Sequence, residues 1–320
     1  GDVYKRQEHG GYASDPTEFM EAVMALANAD PAVGWVAGVI GVHPWEMAFN
    51  DQRVLQEVWG QDADTWVASP YAPNGIAKQV DDGFIFSGQW EFSSGTDSCD
   101  WIVLGGLVEG EGLNDGLPQL YPFLLPRSDY QIVEDSWNVM GLRGTGSKDI
   151  IVDAAFVPEY RVLNATKVFD GTAATEAGRD EALYRMPWSA IFPVALSAAV
   201  VGICEGALAC HYEYQAARGS MMGPMAKNPY LSSRVGEAAS EIHASRSQLL
   251  YNVSKMYAMA QQGTEIPLEM RIVGRRDQVR AARRAVEALD DIYIRSGGGA
   301  TRDEKPLAKS FRDAHTEIKQ

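Results

Sequence analysis

Two stretches decide how this chain folds: residues 83–107, GFIFSGQWEFSSGTDSCDWIVLGGL, and residues 137–163, WNVMGLRGTGSKDIIVDAAFVPEYRVL. Three short apolar runs inside them, 84–86, 101–104 and 150–152, are rich in aromatic and β-branched residues and are bounded by Gly, Asp and Ser, which predicts strands. Between the runs lie two small donor-rich turns, Ser93-Ser94-Gly95-Thr96 and Arg143-Gly144-Thr145-Gly146-Ser147-Lys148. Glycine lets a backbone approach a ligand closely, and Ser and Thr add hydroxyl donors and acceptors. Such turns suit a flat cofactor with polar edges. Taken singly, each reads equally well as a surface turn of a β-barrel.

Taken together, their order is more specific. G-x-x-x-S-G-x-W-x-F-S-S-G, then D-W-I-V-L-G, then W-x-V-x-G-L-R-G-T-G-S-K-D-I-x-V-D, then F-V-P-E, with GVHPW upstream, resembles the acyl-CoA dehydrogenase superfamily. Within it, the pattern is similar to the oxygenase components of two-component flavin-dependent monooxygenases, notably those acting on phenolic secosteroids. The resemblance implies a multi-domain α+β fold with an N-terminal helical part (8–63), a central β-barrel (64–165), a polar linker (166–182) and a C-terminal four-helix bundle (183–320). Residues 1–7, GDVYKRQ, fit nothing that follows and are expected to be a foreign leader. The resemblance begins inside the helical domain and the family's last helix runs past Gln320, so a fragment lacking both ends is expected.

Composition narrows the function classes. A chain of 320 residues is long for one core. Its net charge of −15 argues against nucleic acid or an anionic membrane as partner. No basic leader with an apolar core opens it, and no apolar run is read as long enough to span a bilayer, which points to the cytoplasm. Cys99, Cys204 and Cys210 are odd in number and lack metal spacing, as expected of reduced thiols. There is no G-x-G-x-x-G after a strand and no P-loop, so NAD(P)H is not expected to bind here. Reduced flavin must then come from a separate NAD(P)H:flavin reductase. No metal site is expected.

Apolar spacing predicts a helix over 16–29 with Phe19, Val23 and Leu26 on its buried face, and a second over 32–42 opened by Asp30-Pro31. Pro44 should break that helix at His43. Residues 191–218 are apolar all round, and 233–262 and 268–295 repeat apolar residues three or four apart, the latter at Val279, Ala282, Val286, Leu289 and Tyr293, as in a bundle core. Part of this apolar surface, with the family's habit, implies a homo-oligomer, a tetramer.

The resemblance assigns roles by position. His43 faces flavin and substrate and suits deprotonation of a phenol, flanked by Trp35 and Trp45 as pocket walls. Ser69 and Tyr71 stand at a flavin-contacting segment. Phe92 and Ser94 stand against the flavin, with Ser93 the alternative to Ser94. Arg143, Thr145 and Ser147 complete the cradle, although Arg143 reads equally as a partner of Asp149 or Asp153. Arg218 matches an arginine at the flavin phosphates or merely ends a helix; Gly298 and Gly299 match a turn near a neighbouring subunit's cofactor or merely terminate one. His315 is read as an ordinary helix residue, the family's second active-site histidine falling at Gln320 or beyond. The implied activity is ortho-hydroxylation of a phenolic, steroid-derived ring with reduced flavin (FADH2 or FMNH2) and O2. Two alternatives stand beside it: an acyl-CoA dehydrogenase, for which Glu205 and Glu213 are out of register with the base position near Tyr212, and a catalytically silent flavin-binding or oligomerising fragment.

Overall fold

The computed structural model describes residues 2–113, 116–220 and 223–318. Four helices open it: α1 (Pro16–Ala29), α2 (Pro31–Gly41), α3 (His43–Met47) and α4 (Gln52–Trp59). Asp30 caps α2, its Oδ1 accepting from the backbone N–H of Ala32 (2.9 Å) and Val33 (3.2 Å). The break between α2 and α3 falls at Val42, one residue before the expected His43, and Pro44 sits in the first turn of α3, where its missing N–H leaves no helical bond unmade. The buried face of α1 carries Phe19, Met20, Val23, Met24 and Ala27, whereas Leu26, expected inside, is 42% exposed. The 19/20/23/24/27 stripe follows the three-and-four spacing more closely than 19/23/26.

Seven strands follow: β1 (Val67–Ala68), β2 (Gly75–Val80), β3 (Gly83–Ser93), β4 (Trp101–Val108), β5 (Tyr121–Pro126), β6 (Gln131–Val133) and β7 (Lys148–Pro158). They form one mixed sheet in the order β1-β4-β2-β3-β7-β6, with β5 also paired to β4. β1 and β2 run parallel to β4, and the other pairs are antiparallel. The expected barrel is a half-barrel: among the described strands no pairing joins β6 back to β1 or β5. Its concave side is filled by Phe84, Phe86, Trp90, Ile102, Leu104 and Phe123. Two irregularities interrupt the β3–β7 register, after Phe86 and after Trp90, the second just before the Ser93-Ser94 turn.

The stretch expected as a linker folds into α5 (Ala165–Asp170) and α6 (Thr172–Glu176), and Val168, Ala173 and Ala174 are buried in the helical core. Asn164 starts it by capping Lys167 N–H (3.2 Å). The bundle is α7 (Trp188–Ala216), α8 (Pro229–Gln261), α9 (Leu268–Arg295) and α10 (Pro306–Glu317). By length and composition α7 could cross a membrane, contrary to the sequence expectation, but 83% of its most apolar window is buried inside the protein. It is the bundle's central helix. On α9 the face turns by one position, so Val279 is exposed and Gln278, Ala281 and Ala285 are buried. Within residues 1–7, expected to be foreign, Tyr4 is completely buried in this core against Phe19 (4.4 Å), and Lys5 Nζ donates to the Ala63 carbonyl (2.6 Å).

Candidate active site

The residues singled out by the sequence gather into three groups. The first joins the two donor-rich turns. Trp35 Nε1 donates to Ser94 Oγ (3.0 Å), Ser94 Oγ lies 2.7 Å from Ser147 Oγ, Ser147 Oγ lies 2.6 Å from Thr145 Oγ1, and Thr145 donates to the Leu142 carbonyl (2.8 Å). An indole N–H can only donate and a carbonyl can only accept, so the hydroxyl protons of this chain all point one way, from Trp35 to Leu142. Ser94 has therefore spent its donor on Ser147 and retains acceptor capacity alone. All three hydroxyl residues are buried. Ser93, the alternative to Ser94, is fully buried with its hydroxyl unpaired. α2 lies over the turn so closely that a side chain at Gly95, whose φ is +71°, would meet Ile40 at 2.7 Å.

Phe92 and Arg143 are the outer members of these turns. Phe92 has a positive φ (67°), is half exposed and meets Trp137 edge to face at 6.2 Å. Arg143 pairs with neither Asp149 nor Asp153; its Nε donates to the Val139 carbonyl at 2.8 Å and its side chain is exposed. The 3-10 turn at Arg143–Thr145 brings that carbonyl within reach.

The second group surrounds His43, at the other end of α2. Its Nε2 lies 2.8 Å from Ser69 Oγ and its Nδ1 3.3 Å from the Tyr71 hydroxyl, which donates in turn to Glu46. His43 and Glu46 are buried on α3, three residues apart and thus on one face. Phe192 of α7 closes over both rings, 5.7 Å from His43 and 5.6 Å from Tyr71. Burial pushes the imidazole down to about 3, so it is neutral at physiological pH. Burial pushes the Glu46 carboxyl up to about 7, against the pull of the Tyr71 hydrogen bond. Glu46 escaped the sequence reading, although H-P-W-E carries it at the right offset. Trp45, expected beside this site, points its N–H at the Leu183 carbonyl (3.0 Å) and packs against Phe49 and Phe192.

The third group lies at the far end of α7. Arg218 is held by the Ser296 carbonyl (2.5 Å) and lies over Tyr214, so it does more than end a helix in solvent. Gly298 faces open space, and a side chain at Gly299 would meet the Tyr214 hydroxyl at 2.7 Å. His211 and Gln215, which the sequence did not single out, are buried beside Arg218, each with one nitrogen unpaired. Elsewhere His315 bonds Asp290 (2.6 Å), and Glu205 is paired with Arg246 (3.3 Å). Gln320, where a second histidine was sought, lies outside the described residues.

The first group fits a flavin in chemistry: glycine-bounded turns, a buried unpaired serine hydroxyl and an acceptor at Ser94. Comparison with known proteins shows a flavin-dependent family. Residues 194–318 match the family model described as acyl-CoA dehydrogenase, C-terminal domain. The chain is 50% identical over 311 residues to a pigment production hydroxylase of Rhodococcus erythropolis, covering 97% of this chain and 79% of that protein. It is 42% identical over 313 residues to the flavin-dependent monooxygenase oxygenase subunit HsaA of Mycobacterium tuberculosis, covering 97% and 78%. The crystal structure of the HsaA monooxygenase from M. tuberculosis superposes with a TM-score of 0.91 at 41% identity, covering 99% of this chain and 81% of that one. This chain belongs to the flavin-dependent monooxygenases built on the acyl-CoA dehydrogenase fold, as an oxygenase component.

Proposed function

We propose that the protein hydroxylates a phenolic, steroid-derived ring ortho to its hydroxyl, using reduced flavin, FADH2 or FMNH2, and O2, with the flavin supplied by a separate reductase. The relatives' names as oxygenase subunit, oxygenase component and resorcinol hydroxylase support the division of labour and the phenolic class. One observation carries the reading: α2 ties both polar groups together. Trp35 on α2 anchors the Ser94 turn, and His43 opens α3, which follows α2 after the break at Val42. The serine turn and the imidazole are thus carried by adjoining helices, α2 and α3.

When bound, the reduced flavin supplies the electrons that activate O2. The chain's own part is to hold, orient and keep dry. Ser94, as an acceptor only, would help hold the ring system by accepting an N–H from it. Thr145 and Ser147 fix that serine's orientation, and Phe92 and Arg143, with Ser69 and Tyr71 on the His43 side, would border a bound ring. Trp35, Trp45 and Phe192 exclude water. His43, neutral, takes the phenolic proton and so makes the ring carbon more nucleophilic. Arg218, Gly298 and Gly299 contribute at a phosphate-bearing end, within a tetramer. A cytoplasmic setting suits the three free cysteines.

The test is to supply enzymatically reduced flavin and O2 with a phenolic secosteroid and look for catechol by mass spectrometry. His43→Ala is expected to keep flavin binding within about two-fold and to lower hydroxylation by about a hundred-fold or more. No catechol from the wild type, or unchanged turnover in the variant, sinks the assignment.

A further inference from the structure

His43 alone is a poor store for a proton. It is sealed between Phe192, Tyr71 and Ser69, and nothing anionic touches it directly. The nearest negative charge is one hydroxyl away, at Glu46, and every link between them lies within hydrogen-bonding contact. Ser69 Oγ, His43 Nε2, His43 Nδ1, Tyr71 OH and the Glu46 carboxyl form one unbroken line. Resting on the hydroxylase reading above, we propose that Glu46 is the final acceptor of the phenolic proton, reached through Ser69, His43 and Tyr71.

The hydrogen-bond inventory makes the line directional. With Glu46 ionised, Tyr71 must donate to it, so the tyrosine oxygen accepts from His43 Nδ1–H, leaving Nε2 bare to accept from Ser69. A phenol meeting Ser69 Oγ passes its proton to that oxygen as the Ser69 proton moves to Nε2. The Nδ1 proton moves to Tyr71, and the Tyr71 proton to Glu46. One phenol O–H breaks and one carboxylic O–H forms, with no net change at the three groups between. With Glu46 already protonated every bond in the line reverses. Nε2–H then points at Ser69, and the line can give a proton outward but cannot take one.

Other charges near α3 do not compete. Arg179 reaches this segment only at the Ala48 carbonyl (2.6 Å), Arg53 is bound to Asp51 (2.9 Å) and Arg161 to Glu57 (2.7 Å). Tyr71 and His43 are the titratable groups in the line with Glu46, and burial raises the Glu46 carboxyl to about 7. Activity should therefore rise with pH through the neutral range. Glu46 and Tyr71 act through His43 and are positioning and relay residues; Ser69 touches the substrate.

The experiment uses the full chain with reduced flavin, O2 and a phenolic substrate from pH 5.5 to 9. Wild-type kcat is expected to rise with a midpoint near 7. Glu46→Gln, nearly isosteric, should lose that limb and lower kcat at pH 8 by about ten-fold or more, with KM changed by less than about two-fold. Tyr71→Phe, which cuts the line one step earlier, should do the same. A readout without flavin accompanies it: bound 4-nitrophenol should show a phenolate absorption band that grows with the same midpoint in the wild type and not in Glu46→Gln. If Glu46→Gln and Tyr71→Phe keep the wild-type limb and rate while catechol is formed, the relay falls and the hydroxylase reading stands. A wild type that forms no catechol removes both.

Discussion

At the residue scale, the protein spends buried polarity in two small networks. The Trp35–Ser94–Ser147–Thr145–Leu142 line is fully paired, and such a line loses more by one missing member than by wholesale replacement, because the partners stay buried. Ser94→Ala leaves the Trp35 N–H without an acceptor, and should cost about 1–3 kcal/mol, read as a lowered urea midpoint with unchanged slope. The second network predicts a pH signature of stability. Glu46 has a folded value of about 7 against an ordinary 4.5, so between these the native state keeps a proton that the unfolded chain has released, and stability falls as pH rises. His43 has a folded value of about 3 against 6.5, so its contribution is lost as pH falls through that window. Glu46→Gln removes only the first effect. Its melting temperature relative to wild type should therefore climb from pH 4.5 to 7 and then level; a difference that is flat across that range contradicts a buried carboxyl at Glu46. The offset of Glu46 from His43 was legible in H-P-W-E, but not its burial, which Phe192 and Tyr71 impose from distant segments.

At the scale of elements, α7 is held against α1 by two contacts that demand small residues. A side chain at Gly202 of α7 would lie 2.4 Å from the Met24 carbonyl, and one at Gly206 2.3 Å from that of Asn28, both on α1. Helices this close transmit any added methyl as a displacement of the whole rod. Gly202→Ala should thus destabilise by about 1–3 kcal/mol despite the better helix propensity of alanine. Gly236 of α8, around which nothing lies within 4 Å, is the control. Gly236→Ala should stabilise by up to about 1 kcal/mol, so thermal melts of the two variants should move in opposite directions. The sequence showed α7 as apolar on all sides, and α1, α2 and α9 nearly to the residue. It did not show α5 and α6, because a polar, alanine-containing stretch acquires its buried face only from the core it meets.

At the scale of the whole molecule, three surfaces cooperate: the half-barrel, the opening helices and the bundle. The bundle still exposes large apolar side chains, among them Tyr251 (58%) of α8 and Ile294 (77%) of α9. The proposed tetramer would cover such groups. Light scattering coupled to size exclusion should return a mass near four times 35.0 kDa. Tyr251→Glu with Ile294→Glu should shift it to smaller species, since two charges buried in an apolar contact lack partners. A wild type that elutes as a monomer removes the tetramer from the proposal.

The sequence by itself determined the strand-forming runs, the helix starts at Asp30 and Leu268, the break before Pro44 and the family, because these rest on local propensity and on motifs contiguous in the chain. Only the tertiary structure decided which way the hydroxyls of Ser94, Ser147 and Thr145 point, that Arg143 turns to its own turn's carbonyl, and that Glu46 lies behind His43. Hydrogen-bond direction and the titration of a carboxyl depend on what surrounds a group in space. Here the surroundings are brought from the segment after β1, from α7 and from the two turns, segments far apart in sequence.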